Sequence, residues 1–364
     1  GQFYKISVAE QNSGNIVGGL QDNGGYAFKN NGWSNYFGAD GMDCAVNPLD
    51  PENYYGFIQY GGSLYQSKDG GLTRTSSVGA PAAETGTNDS GGRWVTPLVS
   101  DKLGNIYAGY SQLYKLTNGA WEKISNHSFG GDLYGIEIDP INEKNIYVSR
   151  TSSLYRSTDA GKTFTKLSLN FGTINSMEIS HHDSNVGWFV MNGGVYKSTN
   201  LTSANPTFTN ISGNLPFNDN KIVLRHQPGH KDNRIYLGTT LGVYFIDDTL
   251  TDWQTFDNKL PNSPVRDLEI NEKDAKLIIA TYGRGVWSTD IPNSFPNEFE
   301  RIAGRPVPLN AVDTGIETGN YADIIRINTK SKLTPEIVVA RDKLGQSLED
   351  VQTLLQRANY LTNF

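Results

Sequence analysis

Leu133-Tyr-Gly-Ile136-Glu137-Ile138-Asp139-Pro140-Ile-Asn-Glu-Lys-Asn145-Ile-Tyr-Val-Ser-Arg150-Thr-Ser-Ser153-Leu-Tyr155-Arg-Ser157-Thr-Asp159-Ala-Gly161-Lys-Thr163-Phe164-Thr-Lys-Leu-Ser168 reads as four short strands joined by turns. Ile136-Glu137-Ile138 alternates with period two, the pattern of a strand with one buried face. The breaks fall at Pro140 to Lys144, at residues 151–152 and at Asp159 to Gly161, where Pro, Asn, Asp and Gly supply turn geometry. Strands this short with breaks this tight form an antiparallel meander.

The unit recurs along the chain. An aromatic that opens a strand after a Gly-containing turn stands at Tyr26, Tyr65, Tyr114, Tyr155, Tyr196, Tyr244 and Trp287, at spacings of 39, 49, 41, 41, 48 and 43 residues. A second marker, about ten residues upstream, runs Asn15, Asn53, Asn105, Asn145, Asn185, Asn233 and Ala275 in the same phase. Seven four-stranded repeats of about 41 residues predict an all-β, seven-bladed β-propeller. Its innermost strands are expected at residues 5–9, 42–47, 94–100, 133–139, 174–180, 222–225 and 265–270. The propeller should occupy residues 1–291.

Composition agrees. Of 364 residues, 39 are Gly, 19 Tyr and 6 Trp against 3 Met, as suits a turn-dense, aromatic-rich β protein. The net charge of −7 excludes a generally basic surface, so no nucleic-acid partner is expected. No apolar run is long enough to span a membrane. The start, Gly1-Gln2-Phe3, has neither an initiator Met nor a signal pattern, and a mature or excised piece is expected. Cys44 is the single cysteine, which excludes an internal disulfide and a thiolate zinc cluster. No cofactor or metal is expected.

The turn between third and fourth strands carries the most specific local pattern. Ser67-Lys-Asp69-Gly70-Gly71-Leu-Thr73 and Ser157-Thr-Asp159-Ala-Gly161-Lys-Thr163-Phe164 place Ser and Asp where they can accept from the amides of their own turn, and Ser198-Thr-Asn200 with Thr207-Phe208 is an eroded copy. Together with Gly18-Gly-Leu-Gln-Asp22-Asn23-Gly24, Gly38-Ala-Asp40-Gly41-Met-Asp43, Asn47-Pro-Leu-Asp50-Pro51 and Ala280-Thr-Tyr282-Gly-Arg284-Gly285-Val-Trp287, these turns make residues 1–290 resemble the secreted bacterial Asp-box (BNR) propellers. Within them the chain is similar to the branch of sortilin-type receptors and xyloglucanase-type two-propeller glycoside hydrolases. That resemblance implies an extracellular or cell-surface protein whose Asp boxes are structural staples, and a full chain that often holds two propellers.

Sialidase chemistry, known on Asp-box propellers, is excluded because no Arg-Ile-Pro opening precedes the first repeat. Hydrolysis by two carboxylates stays open. Loops joining second to third strands, and those joining blades, gather on one face around the channel. Asp22 and Asn23 belong to the first class, Asp40 and Asp43 to the second, and ring closure should bring Tyr282 and Arg284 beside them. These six residues and Trp33 form the candidate ligand site, with no catalytic residue assigned. The competing explanation of Gly-Leu-Gln-Asp-Asn-Gly is a capped turn. Trp33, Tyr36, Phe37, Tyr60, Trp94, Phe129, Phe171 and Tyr282 are the channel-face aromatics, each open to either sugar stacking or blade packing. His181, His182, His226 and His230 are read as solvated turn residues, since Pro228-Gly229 breaks any helix that could align zinc ligands.

After Asp290 the character changes. Pro292, Pro296, Pro306 and Pro308 mark a linker over residues 292–321, and residues 322–364 read as a strand-like stretch followed by a short helical hairpin, opened by Thr334-Pro335-Glu336 and Ser347-Leu-Glu-Asp350. A LysM-like wall-binding module is a faint alternative there. Blade seven lacks an obvious fourth strand, and Phe299-Glu-Arg-Ile302 is the expected filler.

Three functions follow. The preferred one is an extracellular binding or adhesion propeller that recognises a glycan or protein through its channel face. The others are a fragment of a xyloglucanase-type glycoside hydrolase and an architectural subunit of a surface assembly, whose C-terminal helices would contact a second propeller or another chain.

Overall fold

The computed structural model describes residues 1–84, 91–167, 172–256, 260–261 and 263–292, with three short strands beyond them. The chain divides into two compact units, Gly1–Asn293 and Ser294–Phe364.

The first unit is a seven-bladed propeller. Six blades are four-stranded antiparallel meanders in chain order, and the seventh has three strands among the described residues. The innermost strands are Phe3–Val8, Gly41–Asn47, Leu98–Ser100, Gly135–Ile138, Ile174–Ile179, Lys221–His226 and Val265–Asn271. All seven overlap the spans expected from the repeat. The second strands, such as Gly187–Met191 and Ile235–Thr239, are buried along their whole length because blades cover both their faces. Separate hydrophobic clusters fill the gaps between blades.

An inner strand leaves its channel-side amides without a sheet partner, and a buried unpaired amide is costly. Here the neighbouring blade supplies the acceptor. Asp267 takes the Ile6 amide at 3.1 Å, Asp43 that of Leu98 at 3.0 Å, Glu137 that of Ile179 at 3.3 Å and Glu178 that of His226 at 2.9 Å. The hydroxyls of Ser7 and Ser176 do the same for Val46 and Leu224. These channel carboxylates are thus interblade fasteners, and Asp267 and Glu178 among them also pair with Lys5 or Arg225.

Closure of the ring uses the same device. Asn271 donates to the carbonyls of Ala9 and Glu10, the Ser13 amide donates to Asp274, and Gln2 bridges to Tyr282. Gly19 explains part of its motif: a Cβ there would lie 2.0 Å from the Met42 carbonyl oxygen, so blades one and two meet backbone to backbone.

The Ser-x-Asp turns are built as expected. The Asp69 carboxylate accepts from the hydroxyl and amide of Thr73, the Leu72 amide and the Ser67 hydroxyl, and Asp159 repeats the set with Thr163 and Ser157. Gly70 and Ala160 donate to the carbonyls of Glu52 and Lys144, which places both turns at the end of the blade opposite the channel-loop face. The Asn200 copy keeps weaker versions, at 3.2 Å from Ser198 and 2.8 Å from the Thr207 amide.

In the second unit, Ile316–Thr318 and Ile325–Asn328 flank a central strand, Glu336–Arg341, the first parallel and the second antiparallel to it. This corrects the first expected helix. Its helix-like opening, Thr334-Pro335-Glu336, runs straight into Ile337-Val338-Val339, and three consecutive β-branched residues favour a strand. The second helix and Phe299-Glu-Arg-Ile302 lie outside the described residues.

Candidate functional site

The central channel holds a cavity of about 850 Å³. One mouth is rimmed by the loops between second and third strands and by the interblade connections, and it gathers exposed aromatics. The Tyr4 hydroxyl donates to the Gln21 side chain at 3.1 Å, and its ring meets Trp94 edge-on at 6.4 Å. Tyr60 meets Trp94 edge-on at 5.1 Å and donates its amide to the Trp94 carbonyl. Trp94 stays 38% exposed and Tyr282 39%.

Three of the eleven non-glycine residues with positive φ among the described residues lie in this sector. Asp22, Ala39 and Tyr60 have φ of 59°, 69° and 60°, a left-handed conformation that non-glycine residues adopt rarely and that clusters at functional sites. Hydrogen bonds hold it: Asp22 donates its amide to the Asp40 carboxylate at 2.6 Å, and Asp40 and Gln59 exchange two bonds at 3.1 and 3.2 Å. Gln21 donates to the Gln2 carbonyl, and Gln2 bridges to Tyr282. Asp22, Asp40 and Tyr282 therefore stand on one contiguous rim, with Arg284 two residues beyond Tyr282 on the same loop. Asn23 is exposed and donates to the Gln21 carbonyl.

Two candidates fall elsewhere. Trp33 sits on the outermost strand of blade one, Gly32–Phe37, against Phe28 at 5.2 Å and Phe3 at 5.7 Å. Small Gly18 lets Phe3 lie across the sheet to reach it. Asp43 lies inside the innermost strand of blade two rather than in the interblade loop. Its carboxylate accepts from Cys44 and Leu98, and burial raises its pKa to about 6 against the pull of Lys5 and those amides. Burial likewise lifts Glu178 to about 7, opposed by Arg225 and the His226 amide and aided by Glu269, and it lifts Glu137 and Glu269.

Of the other channel-face aromatics, Tyr36, Phe37 and Phe129 are core, and Phe171 lies outside the described residues. The histidines are not simply solvated: His226 and His230 are buried, the His226 ring stacks on Trp188 at 5.0 Å, and its Nδ1 accepts the His181 amide. His182 uses both ring nitrogens, on Asn233 and the Pro228 carbonyl. No cluster of three metal-ligating side chains occurs among the described residues.

Sequence reasoning missed Tyr4, Arg93, Tyr134 and Arg266, all of which line the channel. The Arg266 guanidinium lies 4.9 Å from the Tyr282 ring centroid and that of Arg93 3.4 Å from the Tyr134 centroid. Tyr4, Tyr134 and Arg266 lie at or next to the start of an innermost strand, a position the repeat phase could have identified, while Arg93 lies five residues ahead of Leu98–Ser100.

No protein-family model matches the chain, and no curated protein matches it. Among solved structures it is similar to an ancestral GH74 enzyme (TM-score 0.62, 15% identity, covering 80% of this chain and 45% of that one). The GH74 xyloglucanase from Xanthomonas campestris gives 0.62, 15%, 79% and 52%, and the Niastella koreensis GH74 enzyme 0.59, 19%, 80% and 52%. The chain spans about half the length of these neighbours. At such identity the likeness is one of fold, the all-β, seven-bladed propeller.

Proposed function

We propose that the chain is a polysaccharide-recognising propeller of the glycoside-hydrolase kind, an extracellular Asp-box protein that lays a glycan across its aromatic mouth. The observation that carries this is the Tyr4–Trp94–Tyr60 cluster, which keeps a tryptophan 38% exposed on a rim fixed by hydrogen bonds and strained backbone. Rigid aromatic faces bind sugars by burying their C–H surface at little entropic cost. The GH74 fold neighbours favour a carbohydrate over a protein ligand.

Asp22 and Asp40 are carboxylates on the rim that carries the platform. Because the Asp22 amide is bonded to the Asp40 carboxylate, the two stand on one side of the mouth. Glycoside hydrolysis needs acids flanking the bond, about 5 to 9.5 Å apart. This chain alone should therefore bind without cleaving, and cleavage would need an acid from across the glycan.

Affinity electrophoresis against xyloglucan, mixed-linkage glucan, mannan and polygalacturonate, with a reducing-end assay alongside, tests both halves. Retardation by at least one polymer without new reducing ends is expected. No retardation by any of them would overturn the proposal, and reducing ends released by the chain alone would overturn its binding-only half.

A further inference from the structure

We infer that the glycan taken by this mouth is anionic, a polyuronate whose carboxylates are held by Arg266 and Arg93. This rests on the polysaccharide reading above and adds the ligand's charge. Two of the aromatic rings at the mouth already have a face occupied. The Arg266 guanidinium covers Tyr282 at 4.9 Å, and that of Arg93 covers Tyr134 at 3.4 Å. Neither covered face can receive a sugar. What each pair presents instead is a guanidinium placed over an aromatic ring, a set of N–H donors at the mouth.

The two arginines approach the mouth from different blades. Arg266 belongs to the innermost strand of blade seven, and Arg93 precedes that of blade three. Tyr4, on blade one between them in the ring order, carries the contact to Trp94. A chain lying on the Tyr4–Trp94 platform thus has a guanidinium towards either end. Among the described residues neither arginine has a carboxylate within ion-pair distance, unlike Arg225 and Arg234. Asp132 lies in the field of Arg93 and Arg150, and Asp22 and Asp40 keep to the blade-one side. Stacking leaves the planar fork of donors free to bind a carboxylate in bidentate fashion, which a neutral hydroxyl cannot match.

The test is affinity electrophoresis of the full chain in gels holding polygalacturonate, carboxyl-reduced polygalacturonate, xyloglucan or dextran sulfate. Retardation by polygalacturonate but not by its carboxyl-reduced form is expected. Arg266→Gln should weaken it about tenfold, and Arg266→Lys should recover only part, because lysine restores the charge without the fork. Arg266 is exposed, so melting temperatures of the variants should match the parent. Binding of xyloglucan but not polygalacturonate would overturn the anionic ligand while leaving the polysaccharide reading intact; binding of no polymer would overturn both. Equal retardation by dextran sulfate would overturn the carboxylate preference, and so would full retention of polyuronate binding in both Arg266 variants.

Discussion

Asp69 and Asp159 each hold a turn with one carboxylate. Hydrogen bonds from Thr73, side chain first, then Ser67 and Leu72, draw the Asp69 pKa down to about 2; at Asp159 burial pulls upward and the bonds from Thr163 and Ser157 outweigh it, again to about 2. Asp69→Ala leaves several donors of one turn unpaired, and thermal unfolding should show a loss of about 2 kcal/mol, with ligand binding unchanged because the turn is on the opposite face. These turns were legible in sequence because Ser, Asp, Gly and Thr act within a few residues of one another. Asp43 and His226 were not, because their partners, Leu98 and Trp188, are set by which blades become neighbours. Asp40 is the complementary case: Asp40→Asn keeps an oxygen for the Asp22 amide and removes a negative charge from the rim, so calorimetry should show an unchanged fold and an anionic glycan bound no more weakly than by the parent.

At the scale of the strand, the repeat phase located all seven innermost strands, since turn residues and period-two alternation are local properties. What it could not show is how their inner edges are satisfied. Along the channel, Glu178, Asp267 and Glu269 pair with Arg225 and Asp267 also with Lys5, while Asp43 and Glu137 accept the amides of Leu98 and Ile179; Arg93, Lys221, Arg266, His181 and His226 line the same cavity. Burial raises Asp43 to about 6 and Glu178 to about 7. A carboxyl whose folded pKa exceeds its unfolded value binds more protons in the native chain, so it stabilises at low pH and that contribution is lost as pH rises through the folded pKa. The turn aspartates act oppositely, losing their contribution only as pH falls below about 4. Maximal thermal stability is therefore expected near pH 4 to 5, declining towards pH 7.5. Glu178→Gln can still accept the His226 amide and should flatten that decline; a melting temperature that rises steadily from pH 5 to 7.5 would refute the channel assignment. Gly19→Ala belongs to this scale too. Its Cβ would meet the Met42 backbone, which cannot yield as a side chain would, and soluble expression should fall sharply.

At the scale of the ring, blade seven is fastened to blade one by bonds that the side chains of Asn271, Asp267 and Asp274 make to its backbone. Closure brings Tyr282 and Arg266 round to the rim that carries Tyr4, Trp94 and Tyr60. From sequence, Asp22, Asp40 and Tyr282 could be placed on one face by topology alone, because loop class follows from strand order. The arginines that cover Tyr134 and Tyr282 could not, since their stacking depends on contacts between residues far apart in the chain. No helix among the described residues is long and apolar enough to cross a membrane. The most direct test of the account compares polysaccharide retardation of the parent chain with Trp94→Ala, at the mouth, and Leu103→Ala, an exposed residue at the opposite end of blade three. With both variants folded by near-ultraviolet circular dichroism, the account predicts that Trp94→Ala loses most of the retardation and Leu103→Ala keeps it; equal retardation of all three proteins would contradict it.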